Sequence, residues 1–209
     1  MDSLNRYSCA RRRVNGSPAM DAGVWDTLPG MSLSDTVTGG KPFLATTVKA
    51  FYDDAQKSLF FGFWARDDAV VSDYRKRDDP IYNQDVLELF VCDTPVLHRY
   101  KEFQVSPYNV QYDADITYHS EGKFDVNVSW DFEGWRTETA YAADANSLAS
   151  VWTLPFSGFA SMPEAGASWR MNIYRCDHSE RGVELQAWSP TGARQFHVPE
   201  RFGWLDFTE

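Results

Sequence analysis

Hydrophobic and polar positions alternate along most of the chain in short runs, and Gly, Pro, Asp and Asn cut the runs apart. A period of two puts every second side chain on one face of a strand. The pattern predicts eleven strands, over residues 45–52, 58–65, 86–92, 100–105, 113–118, 124–130, 136–142, 150–154, 169–175, 182–188 and 203–207. Asp53-Asp54-Ala55-Gln56, between the first two, has the composition of a hairpin loop. Helical periodicity is scarce, and only short helical turns are expected near 21–26 and 155–161. This spacing predicts an all-β fold, an antiparallel β-sandwich or jelly roll of immunoglobulin-like kind. No repeat or Pro/Gly/Ser-rich linker divides the chain, so residues 1–209 read as a single domain. No GxGxxG or P-loop follows a strand, which removes the α/β nucleotide folds.

Residues 78–91, DDPIYNQDVLELFV, depart from the pattern. From Asp85 onward the strand is apolar on both faces, yet Glu88 stands in its middle. A carboxylate there is costly unless something pairs with it.

Composition narrows the function. The chain is 43% hydrophobic and 15% aromatic, with eight Trp and ten Tyr. That is more than a core of this size requires, so some aromatic side chains are expected to face solvent or a ligand. The net charge of −10 repels phosphate backbones and argues against nucleic acid as a partner. The basic run Arg11-Arg12-Arg13 reads as a solvated edge. No apolar run is long enough for a membrane-spanning helix, so no membrane partner is expected. Cys9, Cys92 and Cys176 are odd in number and widely spaced, which argues against a disulfide framework or a CxxC site. MDSLNRYSCARRR lacks the apolar stretch of a secretory signal. That fits a cytoplasmic chain, or a secreted or surface one whose leader has been removed.

Candidate chemistry is selective. There is no GxSxG elbow or HExxH, and His98, His119, His178 and His197 read as surface or satisfied polar residues. Haem held between a Met and a His is an alternative, with Met20, Met31, Met162 and Met171 as possible ligands. Glu88 could serve as the acid of a glycoside hydrolase, which needs two carboxylates across a bound sugar. Asp67 and Asp68 leave one strand and Asp85 opens another. They read either as oxygen ligands for Ca²⁺ or as a solvated acidic loop. An acidic, Trp/Tyr-rich sandwich also suits sugars, whose ring faces stack on aromatics and whose hydroxyls meet polar side chains.

Several motifs in order carry a resemblance. They are NGSPAMDAGVWDTLP, the strand over 58–64, the QDVLELF of residues 84–90 and YKEFQVSP of 100–107. The WTLP of 152–155 and AWSPTG followed by FHVPERFG, ending at Gly203, complete the series. Together they resemble the family 9 carbohydrate-binding modules, among the DOMON-like β-sandwiches, from about Val14 to Phe207. The resemblance implies a non-catalytic, Ca²⁺-bearing module for mono- or oligosaccharides or the end of a polysaccharide chain, often attached to or partnered with a glycoside hydrolase. It places Tyr82 and Phe196 where the family has a sugar-clamping pair of Trp, and Glu88 where the family has a Glu that accepts from sugar hydroxyls. Asn172 and Trp188 match further family positions. Gln104 stands where the family has Arg, which leaves Glu88 without its cation. Either Arg175 or another base replaces it, or the pocket is tuned to a different ligand.

Overall fold

The computed structural model describes residues 4–209. Its strands are β1 (Arg6–Arg11), β2 (Met31–Ser32), β3 (Ser34–Asp35), β4 (Thr46–Asp53), β5 (Ser58–Arg66), β6 (Val86–Cys92) and β7 (Arg99–Val105). They continue with β8 (Gln111–Ser120), β9 (Lys123–Asn127), β10 (Arg136–Ala142), β11 (Ser147–Pro155), β12 (Ser168–Ser179), β13 (Gly182–Ala187) and β14 (Gly203–Thr208). Among the described residues, helix is confined to single 3-10 turns, including Trp25–Thr27, Ile81–Asn83, Phe156–Gly158 and Pro199–Arg201. All eleven predicted strands are present, with shifted ends.

Eleven of the strands follow one hydrogen-bonded path, β10-β11-β5-β4-β1-β14-β12-β6-β7-β8-β9, which folds over itself, while β2 pairs with β4, β13 with β12, and β3 with β13. The main core lies between the layers: Phe61 and Phe63 of β5 and Trp152 of β11 meet Leu87, Leu89 and Val91 of β6 and Phe103 of β7. Burying this many aromatics at roughly 25 cal/mol per Å² is the main stabilising term.

Two expectations need correction. The sheet is not wholly antiparallel, because β1 runs parallel to both β14 and β4. Nor is the segment around Arg11 an edge. Tyr7 and Cys9 are buried, and β1 sits inside the path. Its arginines are spent on the acidic hairpin: Arg11 lies 3.2 Å from Asp54, and Arg13 lies 2.7 Å from Asp53.

The parity of β6 explains its double-sided apolar pattern. Leu87, Leu89 and Val91 enter the main core, whereas Val86, Phe90 and Cys92 join a second cluster on the opposite face. Tyr100, Tyr112, Ala114, Tyr174 and Phe202 belong to that second cluster. Glu88 has the parity of Phe90, so it projects to this outer face.

Candidate functional site

A cavity of about 510 Å³ opens on the outer face of β6, β7 and β8, within the usual range for small-ligand sites. Register sets its floor. Glu88 pairs with Gln104, and the neighbouring pair is Phe90 with Glu102, so Glu88, Gln104 and Glu102 share one face. The segment between β13 and β14 folds over this face and supplies Arg194, Gln195, Phe196 and His197, while Phe124, Val126 and Val128 come from β9 and the residues after it.

Two aromatics stand at the cavity as the resemblance implies. Tyr82, carried by the Ile81–Asn83 turn, is 47% exposed and meets Tyr112 edge-on at 5.5 Å. Phe196 is half-buried and stacks on Tyr174 at 4.2 Å and 12°. The Tyr174 hydroxyl donates to the Phe196 carbonyl at 2.8 Å, fixing the loop that carries the ring.

The floor is acidic and buried. Glu88 and Glu102 are 3% and 4% exposed. Burial pushes Glu102 up to about 8. Burial, reinforced by the Glu102 charge, holds Glu88 well above the ordinary glutamate range. The Gln104 amide donates to Glu102, while its own Oε1 is buried without a partner. His197 supplies no charge, because burial pushes it down to about 4. Its ring stacks on Phe124 at 3.9 Å, and its Nδ1 pairs with the Tyr100 hydroxyl at 2.8 Å.

Three expected site residues lie elsewhere. Arg175 pairs with Leu87, so it has the opposite parity to Glu88 and points inward. There it donates to Asp177 at 2.5 Å, Asp67 at 3.2 Å and the Arg66 carbonyl at 2.7 Å. It does not balance Glu88. Asn172 is on the correct face, but all four of its hydrogen-bonding sites are used, on Tyr174, Ile173 and twice on the Ser189 backbone. Trp188 is 5% exposed in the main core. Reasoning from sequence missed Glu102 and His197. Glu102 stands two residues before Gln104, so strand alternation alone carries it to the same face. His197 is the satisfied polar residue expected, through Tyr100, and it also forms part of the cavity wall.

A second acidic group lies apart from the cavity. Asp67, Asp85 and Asp177 are buried with carboxylate oxygens within 4.8 Å of one another. Asp177 replaces Asp68 in the expected trio, since Asp68 turns outward to Arg181 at 2.9 Å. The Val71 and His178 amides donate to Asp85 at 2.6 and 2.7 Å. Burial raises all three acids, Asp177 to about 7. Three carboxyl groups share Arg175, with the His178 ring 3.3 Å from Asp85, so the cluster holds more acid than base.

The fold and site thus define a ligand-binding β-sandwich with an aromatic-rimmed, carboxyl-floored cavity. A family model described as "Carbohydrate family 9 binding domain-like" matches residues 19–209, and the chain belongs to that family. It is similar to an "Extracellular protein" of Arthroderma benhamiae, 27% identical over 186 residues that cover 82% of each chain. Its fold is similar to that of a candidate carbohydrate-binding protein from Bacteroides uniformis, with a TM-score of 0.77 and 17% identity over 98% of this chain and 100% of the other. It is also similar to a family 9 carbohydrate-binding module from Caldicellulosiruptor kristjanssonii in complex with cellotriose, with a TM-score of 0.68 and 13% identity over 98% and 94% of the two chains. The same module in complex with glucose gives a TM-score of 0.69, again at 13% identity, over 98% and 96%.

The site does not favour the two alternatives. Glu88 and Glu102 lie on one floor, whereas glycoside hydrolysis needs carboxyls flanking the bond. Among the described residues, no methionine lines the cavity that His197 faces.

Proposed function

We infer that the protein holds a mono- or oligosaccharide in this cavity, between Tyr82 and Phe196, without chemical change. The observation that carries this reading is the convergence of two aromatic rings and buried acceptor groups on one cavity. Sugar ring faces suit the rings, and sugar hydroxyls suit Glu88 and Gln104. Family membership supports it, as do the cellotriose and glucose complexes of the Caldicellulosiruptor module. Such a domain would hold polysaccharide for a glycoside hydrolase in the same or a partner chain, and the Arthroderma relative's description favours an extracellular setting.

Titration calorimetry with glucose and cello-oligosaccharides tests the site. Phe196→Ala is expected to weaken binding roughly tenfold to a hundredfold, from about 1.5–3 kcal/mol of lost apolar contact. Wild-type affinity in a Tyr82→Ala/Phe196→Ala double variant would remove the cavity from consideration.

Ca²⁺ belongs to the same reading, held by Asp67, Asp85 and Asp177. Its contribution would be to neutralise their excess charge and tie the loop between β5 and β6 to β12. Millimolar Ca²⁺ is expected to raise the melting temperature and EDTA to reverse the rise, by about 2–4 °C per kcal/mol of binding. The increment should vanish in Asp177→Asn. An unchanged melting curve with and without Ca²⁺ counts against the metal.

A further inference from the structure

The floor of the cavity is unbalanced in its hydrogen bonding. Gln104 is 1% exposed, and its Oε1 accepts from nothing. The Glu88 carboxyl has no hydrogen-bond or ion-pair partner among the described residues. Glu102 receives the Gln104 amide and lies 3.9 Å from His197 Nε2. The other titratable groups around this floor are Tyr82, Tyr112, Cys176 and His197, none of which is a cation at neutral pH. Among the described residues, the only arginine or lysine lining the cavity is Arg194, which is exposed on the covering segment. Two buried carboxyls and an orphaned carbonyl therefore face the ligand together.

A sugar hydroxyl brings one donor to such a floor. A protonated primary amine brings three donors and a charge, and charge-assisted hydrogen bonds are about twice as strong as neutral ones. The geometry points to a saccharide bearing a free, protonated amino group as the ligand, with its ammonium seated against Glu88, Glu102 and Gln104 Oε1. This rests on the carbohydrate reading above and names the class of sugar. Raised acids fit the event: as the ammonium enters, a carboxyl proton leaves to solvent, and the carboxylate left behind faces the cation. The amine stays protonated throughout, so one proton is released per ammonium bound.

The test compares three disaccharides that share one β-linked glucose backbone and differ at the carbon beside the anomeric centre. These are cellobiose (hydroxyl), chitobiose with both amines free (ammonium) and its diacetylated form (amide). Calorimetry on the full chain at about pH 6, where even the weakly basic amine of an amino sugar is largely charged and the raised carboxyls keep their protons, is run in two buffers of different ionisation enthalpy. Chitobiose is expected to bind at least about tenfold more tightly than the other two and to release a proton. Glu88→Gln and Glu102→Gln should each erase that preference, and Gln104→Arg should reverse it by placing a cation on the floor. Melting curves show which variants remain folded. Cellobiose binding as tightly as chitobiose, or chitobiose binding with no proton released, overturns the amine while leaving the carbohydrate reading intact. Failure of all three to bind removes both.

Discussion

Replacing Arg175 with Met is expected to cost about 3–5 kcal/mol of stability, which in a chain of this size lowers the melting temperature by roughly 6–20 °C. The size of the effect comes from what the guanidinium leaves behind. Arg175 is 1% exposed and, among the described residues, is the only cation in contact with Asp67 and Asp177, themselves buried beside Asp85. Met fills the apolar part of the volume but offers neither charge nor donors. Three carboxylates within 4.8 Å of one another would then repel, and the Arg66 carbonyl would lose its donor. Ca²⁺ is expected to recover more stability in Arg175→Met than in the wild type, because the cluster then carries one more uncompensated charge. Chemical denaturation with and without Ca²⁺ measures both effects. Wild-type stability in metal-free Arg175→Met would mean that the carboxylates are neutralised by some other route.

Register alone decides which face Arg175 takes. In β12, Tyr174 faces Glu88 and Arg175 faces Leu87, and a shift of one residue would exchange their faces. Alternation within a strand can be read from one sequence, but pairing between strands 80 or more residues apart cannot. Tyr82, Glu88, Gln104 and Phe196 could be nominated because recurring motifs carry them, and the fold brings all four to one cavity. Asn172 shows a different limit: its face follows from alternation, but the Ser189 backbone that saturates it arrives from a loop. The short strands β2 and β3 are only two residues each, too brief for any period. β1 has just two buried apolar side chains, Tyr7 and Cys9, between polar neighbours.

Replacing Glu102 with Gln should stabilise the protein at alkaline pH, and Glu88→Gln should act in the same direction. Glu102 titrates near 8 in the folded chain, whereas an unfolded glutamate titrates near about 4.3. The folded state therefore retains a proton that the unfolded state gives up. Its stability is fully present below about pH 4.3 and is lost as pH rises through about 8. Gln cannot ionise, so the variant escapes this loss. The expected gain over wild type is about 2–4 kcal/mol near pH 8, shrinking to little near pH 4. His197 works in the opposite window, since its folded value near 4 lowers stability as pH falls below about 6.5. Wild type and variant share the Asp67, Asp85 and Asp177 cluster, so the difference between their curves reports Glu102 together with the neighbours that feel its charge, Glu88 above all. Parallel curves from about pH 4 to about pH 9 would show that Glu102 titrates in the folded chain as it does in the unfolded one. A positive result has a functional consequence. Two acids that destabilise the empty fold, beside a glutamine that satisfies only one of them, form a floor kept at the expense of stability. Binding sites are where such a trade is expected. The same Gln substitution should thus strengthen the fold and erase the preference for an ammonium-bearing sugar, an opposition that a purely structural role for the pair does not produce.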